Sequence, residues 1–185
     1  MARLPDRAAL RLHEPEIWCA GEYEGLLREL VLAHKERGVR ALTAVLGALL
    51  GQAVLAASGD TATVVLIPMP PHRASLQERG RDCVDELARA AAGHLRRSGI
   101  SCSVESRLRW RHERDRHVGQ SARGRQDVRE ALVAHNRPAS GASYVLVDDV
   151  VTTGATVSEA IRALKASGLS TPTVACVASR SRRFR

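Results

Sequence analysis

The sequence predicts an α/β fold, a mainly parallel sheet flanked by helices, within one domain. Three observations predict it. Short β-branched apolar runs, Val64-Val65-Leu66-Ile67 and Tyr144-Val145-Leu146-Val147, read as strands buried on both faces. Longer stretches around them repeat apolar residues at i, i+3, i+4 and i+7, the period of a helix with one buried face. The two patterns alternate along the chain, and strands joined through helices pair in parallel. A chain of 185 residues suits one domain with a sizeable core and would cramp two.

Taken in order, residues 1–20 carry Pro5 and Pro15 and no clean period, so they read as an irregular lead-in. Tyr23, Leu26, Leu27, Leu30 and Val31 mark a first helix ending near Gly38. Leu42, Val45, Leu46, Leu49, Leu50 and Val54 mark a second, broken by Ser58-Gly59-Asp60. The strand at 64–67 stops at Pro68, and a Pro-rich loop runs on to Arg73. Val84, Leu87, Ala88, Ala91, Ala92 and Leu95 form the stripe of a third helix, and Ile100 to Val104 reads as the next strand. Residues 106–129 hold eight Arg against three acidic residues, with few aliphatics. Such a stretch predicts an exposed lid or loop and not core. After the strand at 144–147, Val157, Ala160, Ile161 and Leu164 mark a helix closed near Gly168, and Thr173 to Ala178 a last strand. Arg180 to Arg185 form a basic tail.

Composition narrows the function classes. Hydrophobic residues make up 44% of the chain, too many for a disordered segment. Aromatics make up 3%, so the core must be built from Ala, Leu and Val, and base-stacking nucleic-acid binding lacks its rings. The net charge of +8 comes almost wholly from Arg, since Lys35 and Lys165 are the two lysines. It implies an anionic partner (a nucleic acid, an anionic membrane or a small polyphosphate) without choosing among them. Cys19, Cys83, Cys102 and Cys176 show no C-x₂-C spacing, which excludes a zinc signature and fits reduced thiols in a cytoplasmic protein. No leader-like apolar stretch opens the chain, and no unbroken run of about 18 apolar residues occurs, so neither secretion nor a membrane span is expected.

The chemistry concentrates in Val145-Leu146-Val147-Asp148-Asp149-Val150-Val151-Thr152-Thr153-Gly154-Ala155-Thr156. A buried strand carries two carboxylates to its carboxyl end, where open α/β sheets bind ligands. A Thr-Thr-Gly-Ala-Thr turn follows and leads into a helix. Gly154 lets the backbone come close to an anion, and the N–H groups of the turn and helix start form an anion nest. The hydroxyls of Thr152, Thr153 and Thr156 add donors. Carboxylates suit a diol, or Mg²⁺ through its waters. A phosphate with a diol beside it describes ribose 5-phosphate. Neither G-x₄-G-K-[ST] nor G-x-G-x-x-G is present, which disfavours ordinary nucleoside triphosphate and dinucleotide sites. A receiver domain also carries an acidic pair, but it needs a later acidic strand. Here 36 residues follow Asp149, with Glu159 their sole acid.

The stretch resembles the motif by which type I phosphoribosyltransferases bind 5-phosphoribosyl 1-diphosphate (PRPP): apolar residues, two acids, then T-T/S-G-x-T. The resemblance implies that fold, a Rossmann-like parallel sheet with a small N-terminal hood region. It assigns Asp148 and Asp149 to the ribose hydroxyls and catalysis, and Val150 with Thr152, Thr153, Gly154, Ala155 and Thr156 to the ribose 5-phosphate. Mg²⁺ would be the cofactor, carried by PRPP and within reach of Asp148 and Asp149. Over residues 18–180 the chain is similar to the competence-associated ComF family. Tyr23-x-Gly25-x-x-Arg28 with Lys35 and Gly38 matches its early helix. Pro68 to Asp82 matches its Pro-rich loop, with Asp82 where Asn is usual. Val118 to Leu132 matches its Gly-Leu-Ser…Ala-Phe stretch, with Gln120 and Leu132 departing from it. The Cys-rich zinc segment of many such proteins has no counterpart here.

A diphosphate needs cations, and Arg clamps phosphate oxygens in bidentate fashion. Arg73 and Arg79 flank the Pro-rich loop and a helix start, and with Lys35 they are the residues expected at the diphosphate. The expected reaction transfers the 5-phosphoribosyl group to an acceptor, of the nucleobase class by resemblance, with release of pyrophosphate. Two other classes compete. One is a sensor that binds PRPP or nucleotides without turnover. The other is a DNA-uptake accessory protein in which 106–129 meets nucleic-acid phosphates. By analogy with the fold, a homodimer is the expected assembly.

Overall fold

A computed structural model of the chain describes residues 16–59, 61–111, 131–135, 141–169 and 172–180. In chain order the elements are β1 (Ile17–Glu22), α1 (Gly25–Lys35), a 3₁₀ turn (Arg40–Leu42), α2 (Thr43–Ser58), β2 (Thr63–Pro68), α3 (Arg73–Arg79), α4 (Cys83–Arg97), β3 (Ser101–Val104), β4 (Leu108–Trp110), β5 (Leu132–Ala134), β6 (Ser143–Val151), α5 (Ala155–Ala166) and β7 (Thr173–Ser179). Five strands form one sheet in the order β1-β7-β6-β2-β3. Every pairing in it is parallel. β4 and β5 pair antiparallel as a separate ribbon. The predicted class, an α/β fold with a parallel sheet flanked by helices and compatible with a Rossmann-like arrangement, is the observed one.

Alternate residues of each central strand point to alternate layers. Val64, Leu66, Val145, Val147, Ala175 and Val177 meet Leu46, Leu50 and Val54 of α2 and Leu87, Ala91 and Leu95 of α4. Ile67, Leu146, Val174 and Cys176 meet Val157, Ala160, Ile161 and Leu164 of α5, with Leu108 and Leu132 of the ribbon. The molecule thus has three layers, with a core of Leu, Val, Ile and Ala as the scarcity of aromatics requires. Buried Glu159 fastens the ribbon to α5. It accepts the Leu132 N–H at 3.0 Å and pairs with Arg162 at 2.8 Å.

Three expectations are corrected. Ile17–Glu22 is a strand and not an irregular lead-in; it runs beside β7 with Cys19 opposite Cys176. The Pro-rich loop leads into a helix, α3, that the sequence reading lacks. The Arg-rich stretch begins inside the fold, because Arg107 and Leu108 are buried and 108–110 is a strand. The remainder of that lid or loop, residues 112–129, lies outside the described residues, as do 1–15 and the tail 181–185. Residues 40–58 have a mean hydropathy of 1.8 over a helical length that could cross a membrane. Leu46, Leu50 and Val54 of this helix pack on the sheet beside α4, so closely that a Cβ on Gly47 would stand 2.4 Å from that of Ala90.

Candidate functional site

From β2 the chain steps outward to β3, then returns to β6 on β2's other side and steps outward to β7. The carboxyl ends of β2 and β6 therefore border the crevice where the direction of winding reverses, the place where open parallel sheets bind ligands. The Met69 N–H donates to the Val147 carbonyl at 2.9 Å, so the Pro-rich loop leaves the sheet directly beside Asp148 and Asp149.

The two carboxylates differ in surroundings. Asp149 is 3% exposed, and its Oδ1 accepts the Val150 N–H at 2.8 Å. Its Oδ2, itself buried, lies 2.7 Å from the Lys35 ammonium and pairs with its charge. Asp148 accepts the Asp149 N–H at 2.8 Å through Oδ1 and sits opposite Cys176 on β7. Part of Asp148 reaches solvent, yet protein crowds its carboxyl. That desolvation, and then the charge of Asp149, push its pKa well above the carboxylate range. Burial alone would lower the Lys35 pKa, but Asp149 and Asp148 outweigh it and the net shift is upward.

After β6 the chain turns through Thr152 and Thr153, both exposed, to Gly154 at φ +76°. Glycine is required there by conformation and not by crowding, since a Cβ would meet nothing within 4 Å. No side chain caps the start of α5; the Ala155 N–H makes one long contact, 3.4 Å, to Thr153 Oγ1. The first-turn N–H groups thus face solvent beside the threonine hydroxyls, an arrangement suited to a phosphate.

The three predicted cations have different fates. Lys35, in the last turn of α1, is brought onto Asp149. Arg79 closes α3 and grips Glu36, the residue after Lys35, through Nε at 3.2 Å and Nη2 at 2.9 Å. Arg73 opens α3 and is exposed. Arg81, which stands with Arg79 in the Arg-Gly-Arg-Asp stretch expected near the diphosphate, is turned inward instead. Buried beside α1, it donates to the His34 carbonyl at 3.1 Å and to His34 Nε2 at 2.7 Å, and it pairs with Glu86. A guanidinium cannot accept a hydrogen bond, so His34 Nε2 is the unprotonated nitrogen. Burial, then the Arg81 charge, lower the His34 pKa accordingly. On the other side of the crevice, Trp110 stacks on His72 at 4.0 Å and donates to the Pro70 carbonyl at 3.0 Å, tying the Pro-rich loop to the ribbon.

A cavity of about 430 Å³ opens farther along the same sheet edge, lined by Tyr23, Gly25, Arg28 and Arg180 among others. It holds none of the predicted ligand-binding residues. Buried charge, and not concavity, marks the acidic pair. Among the described residues no group of three or more His, Cys, Asp and Glu could hold a metal. Two carboxylates, one already paired with Lys35, do not form a resident Mg²⁺ site. Two such oxygens fit only a Mg²⁺ that draws most of its ligands from water or elsewhere.

No family model matches the chain, and no curated protein does.

Proposed function

We propose that this protein binds PRPP as its magnesium complex and transfers the 5-phosphoribosyl group to an acceptor nitrogen. A type I phosphoribosyltransferase fold, similarity to the ComF proteins, a nucleobase-class acceptor and a cytoplasmic location belong to the same reading. The observation that carries it is the buried carboxylate of Asp149 and its Lys35 counter-ion, set at the winding reversal between β2 and β6 and followed at once by an uncapped Gly154 turn. That order offers a hydroxyl acceptor, a cation and a phosphate nest within one crevice.

In this reading the turn from Thr152 to Thr156 takes the 5-phosphate. Asp149, with Asp148 beside it, accepts the ribose hydroxyls. Lys35, Arg79 and Arg73 face the diphosphate. The bond from C1 to the diphosphate oxygen breaks with its electron pair leaving on pyrophosphate. The acceptor nitrogen bonds to C1 and releases its proton. Positive charge grows on the ribose as the old bond lengthens, as in other glycosyl transfers. The fixed charge of Asp149 near that ribose, and fixed cations around the leaving group, lower the barrier because they need no reorientation.

Calorimetric titration with PRPP, in Mg²⁺ and then in EDTA, tests the site on wild type, Asp149→Asn and Gly154→Val. The expected outcome is saturable, Mg²⁺-dependent binding that both variants lose while keeping a cooperative melt. Undiminished binding by both would falsify the assignment. Pyrophosphate release with a panel of nucleobases then separates an enzyme from a sensor.

A further inference from the structure

Asp149 has one carboxylate oxygen committed to the Val150 amide. The other, Oδ2, is the oxygen left for a ligand, and it already has the Lys35 ammonium 2.7 Å away. The Lys35 side chain is 31% exposed while that of Asp149 is 4% exposed, so Lys35 reaches solvent and Asp149 does not. Lys35 is anchored at its base, because Arg81 holds the His34 carbonyl and Arg79 holds Glu36, the residues on either side of it. The Arg79 charge also acts on Lys35 and opposes it. The ammonium is therefore held by a buried anion, and the Arg79 charge that acts on it is itself paired with Glu36. Leaving Asp149 strands a buried carboxylate, which is unfavourable without an incoming anion.

From this juxtaposition we propose, resting on the PRPP reading of the site, that Lys35 is a resident counter-ion that makes the crevice select ribose 5-phosphates bearing an anionic group at C1. The ribose hydroxyls take Oδ2 only when Lys35 transfers to an anion on the ligand. A C1 diphosphate supplies that anion in the same molecule that supplies the hydroxyls. Ribose 5-phosphate, or a nucleoside monophosphate with an uncharged base at C1, supplies the hydroxyls alone and leaves the displaced ammonium uncompensated. Discrimination thus comes from a penalty on the wrong ligand as much as from a contact with the right one. The same exchange favours product release: once pyrophosphate departs, Lys35 returns to Asp149 and competes with the ribose of the product.

The test is parallel calorimetry with PRPP·Mg²⁺ and with ribose 5-phosphate on wild type, Lys35→Met and Lys35→Arg. Wild type is expected to prefer PRPP. Lys35→Met should lose PRPP affinity by roughly tenfold to a hundredfold, the effect of removing one charged hydrogen-bond donor. Its ribose 5-phosphate affinity should hold or rise, so the ratio collapses. Lys35→Arg keeps the charge and should keep most of the ratio. If Lys35→Met melts below the assay temperature, Lys35→Gln, which keeps a polar end beside Asp149 and lacks the charge, takes its place and is expected to lose the ratio as well. Equal losses for both ligands, or an unchanged ratio, overturn the counter-ion role while leaving the PRPP reading in place. A folded wild type that binds neither ligand overturns both.

Discussion

Asp148 and His34 draw the pH dependence of stability in opposite directions. The folded pKa of Asp148 lies above its ordinary value of 3.8, raised by burial and by Asp149. The folded state holds a proton that the unfolded chain releases, so stability falls as pH rises from 3.8 through the folded value. His34 has a folded pKa below 6.5, lowered by burial and by Arg81. The unfolded chain takes that proton first, so stability falls as pH drops below 6.5. Asp148→Asn should therefore raise the melting temperature at neutral pH, remove the Asp148 part of the slope, and weaken PRPP binding. Thermal melts across the acid range check the first two and titration the third. A lower melting temperature at neutral pH would mean that the charge of Asp148 is compensated in the fold. Gly154→Ala places a Cβ at φ +76° and should destabilise the chain by about 1–2 kcal/mol, a strain visible in denaturant melts. Both positions were legible from sequence, because the acids and the turn lie in one contiguous stretch whose chemistry is local. The contacts of Lys35 with Asp149 and of Arg81 with His34 were not, because each joins side chains far apart in the chain.

At the scale of elements, legibility followed periodicity. The helices with full apolar stripes and the strands with continuous Val, Leu and Ile runs were readable. α3 was not, since its sequence Arg-Ala-Ser-Leu-Gln-Glu-Arg has a single large apolar residue, Leu76, and that one is exposed. β4 alternates Leu108 and Trp110 around Arg109, but the surrounding arginines outweigh a three-residue signal. Nor does sequence tell that α2 and α4 approach closely enough to exclude a methyl group at Gly47. A Gly47→Ala change gains at most about 1 kcal/mol of helix propensity. Against this, its Cβ would stand 2.4 Å from Ala90 Cβ, with Ala90 and Ala91 backbone atoms at 3.2 Å. Backbone cannot swing aside as a long side chain does, and such overpacking costs about 1–3 kcal/mol. The variant should thus be less stable by denaturant melt, against the usual gain from glycine to alanine in a helix. Glu159→Ala removes the acceptor of the buried Leu132 N–H, and leaving that group unsatisfied costs about 1–3 kcal/mol. Because this carboxylate joins the ribbon to α5, hydrogen exchange should rise at Leu132 before it rises in the central sheet.

The whole molecule is closed by joining its first described strand to its last. β1 pairs along its length with β7, from Ile17 opposite Val174 to Glu22 opposite Ser179. The connection from β1 through α1 and α2 to β2 then spans the sheet, and it is what carries Lys35 over to Asp149. A half-buried strand of six residues behind Pro15 has little periodicity of its own, and its partner lies at the far end of the chain. It becomes a strand because the edge of β7 is there to receive it, which is a property of the assembled sheet. This bears on stability and on the site together. Deleting residues through Glu22 uncovers Cys176 and Val174, both fully buried in the intact chain, and leaves the edge of β7 unpaired. Losing the burial of Ile17, Trp18 and Cys19 is worth several kcal/mol at about 25 cal/mol per Å² of apolar surface. An unpaired flat edge also invites pairing with another copy. The truncated chain should therefore melt earlier than the intact one and should associate with increasing concentration, as read by light scattering. It should also bind PRPP more weakly, because α1 loses the strand that fixes its start and Lys35 loses its fixed position opposite Asp149. A truncated chain that stays in the same assembly state and melts at the same temperature would mean that β1 is not what closes the sheet. The counter-ion pair would then have to be held by Arg81 and Arg79 alone.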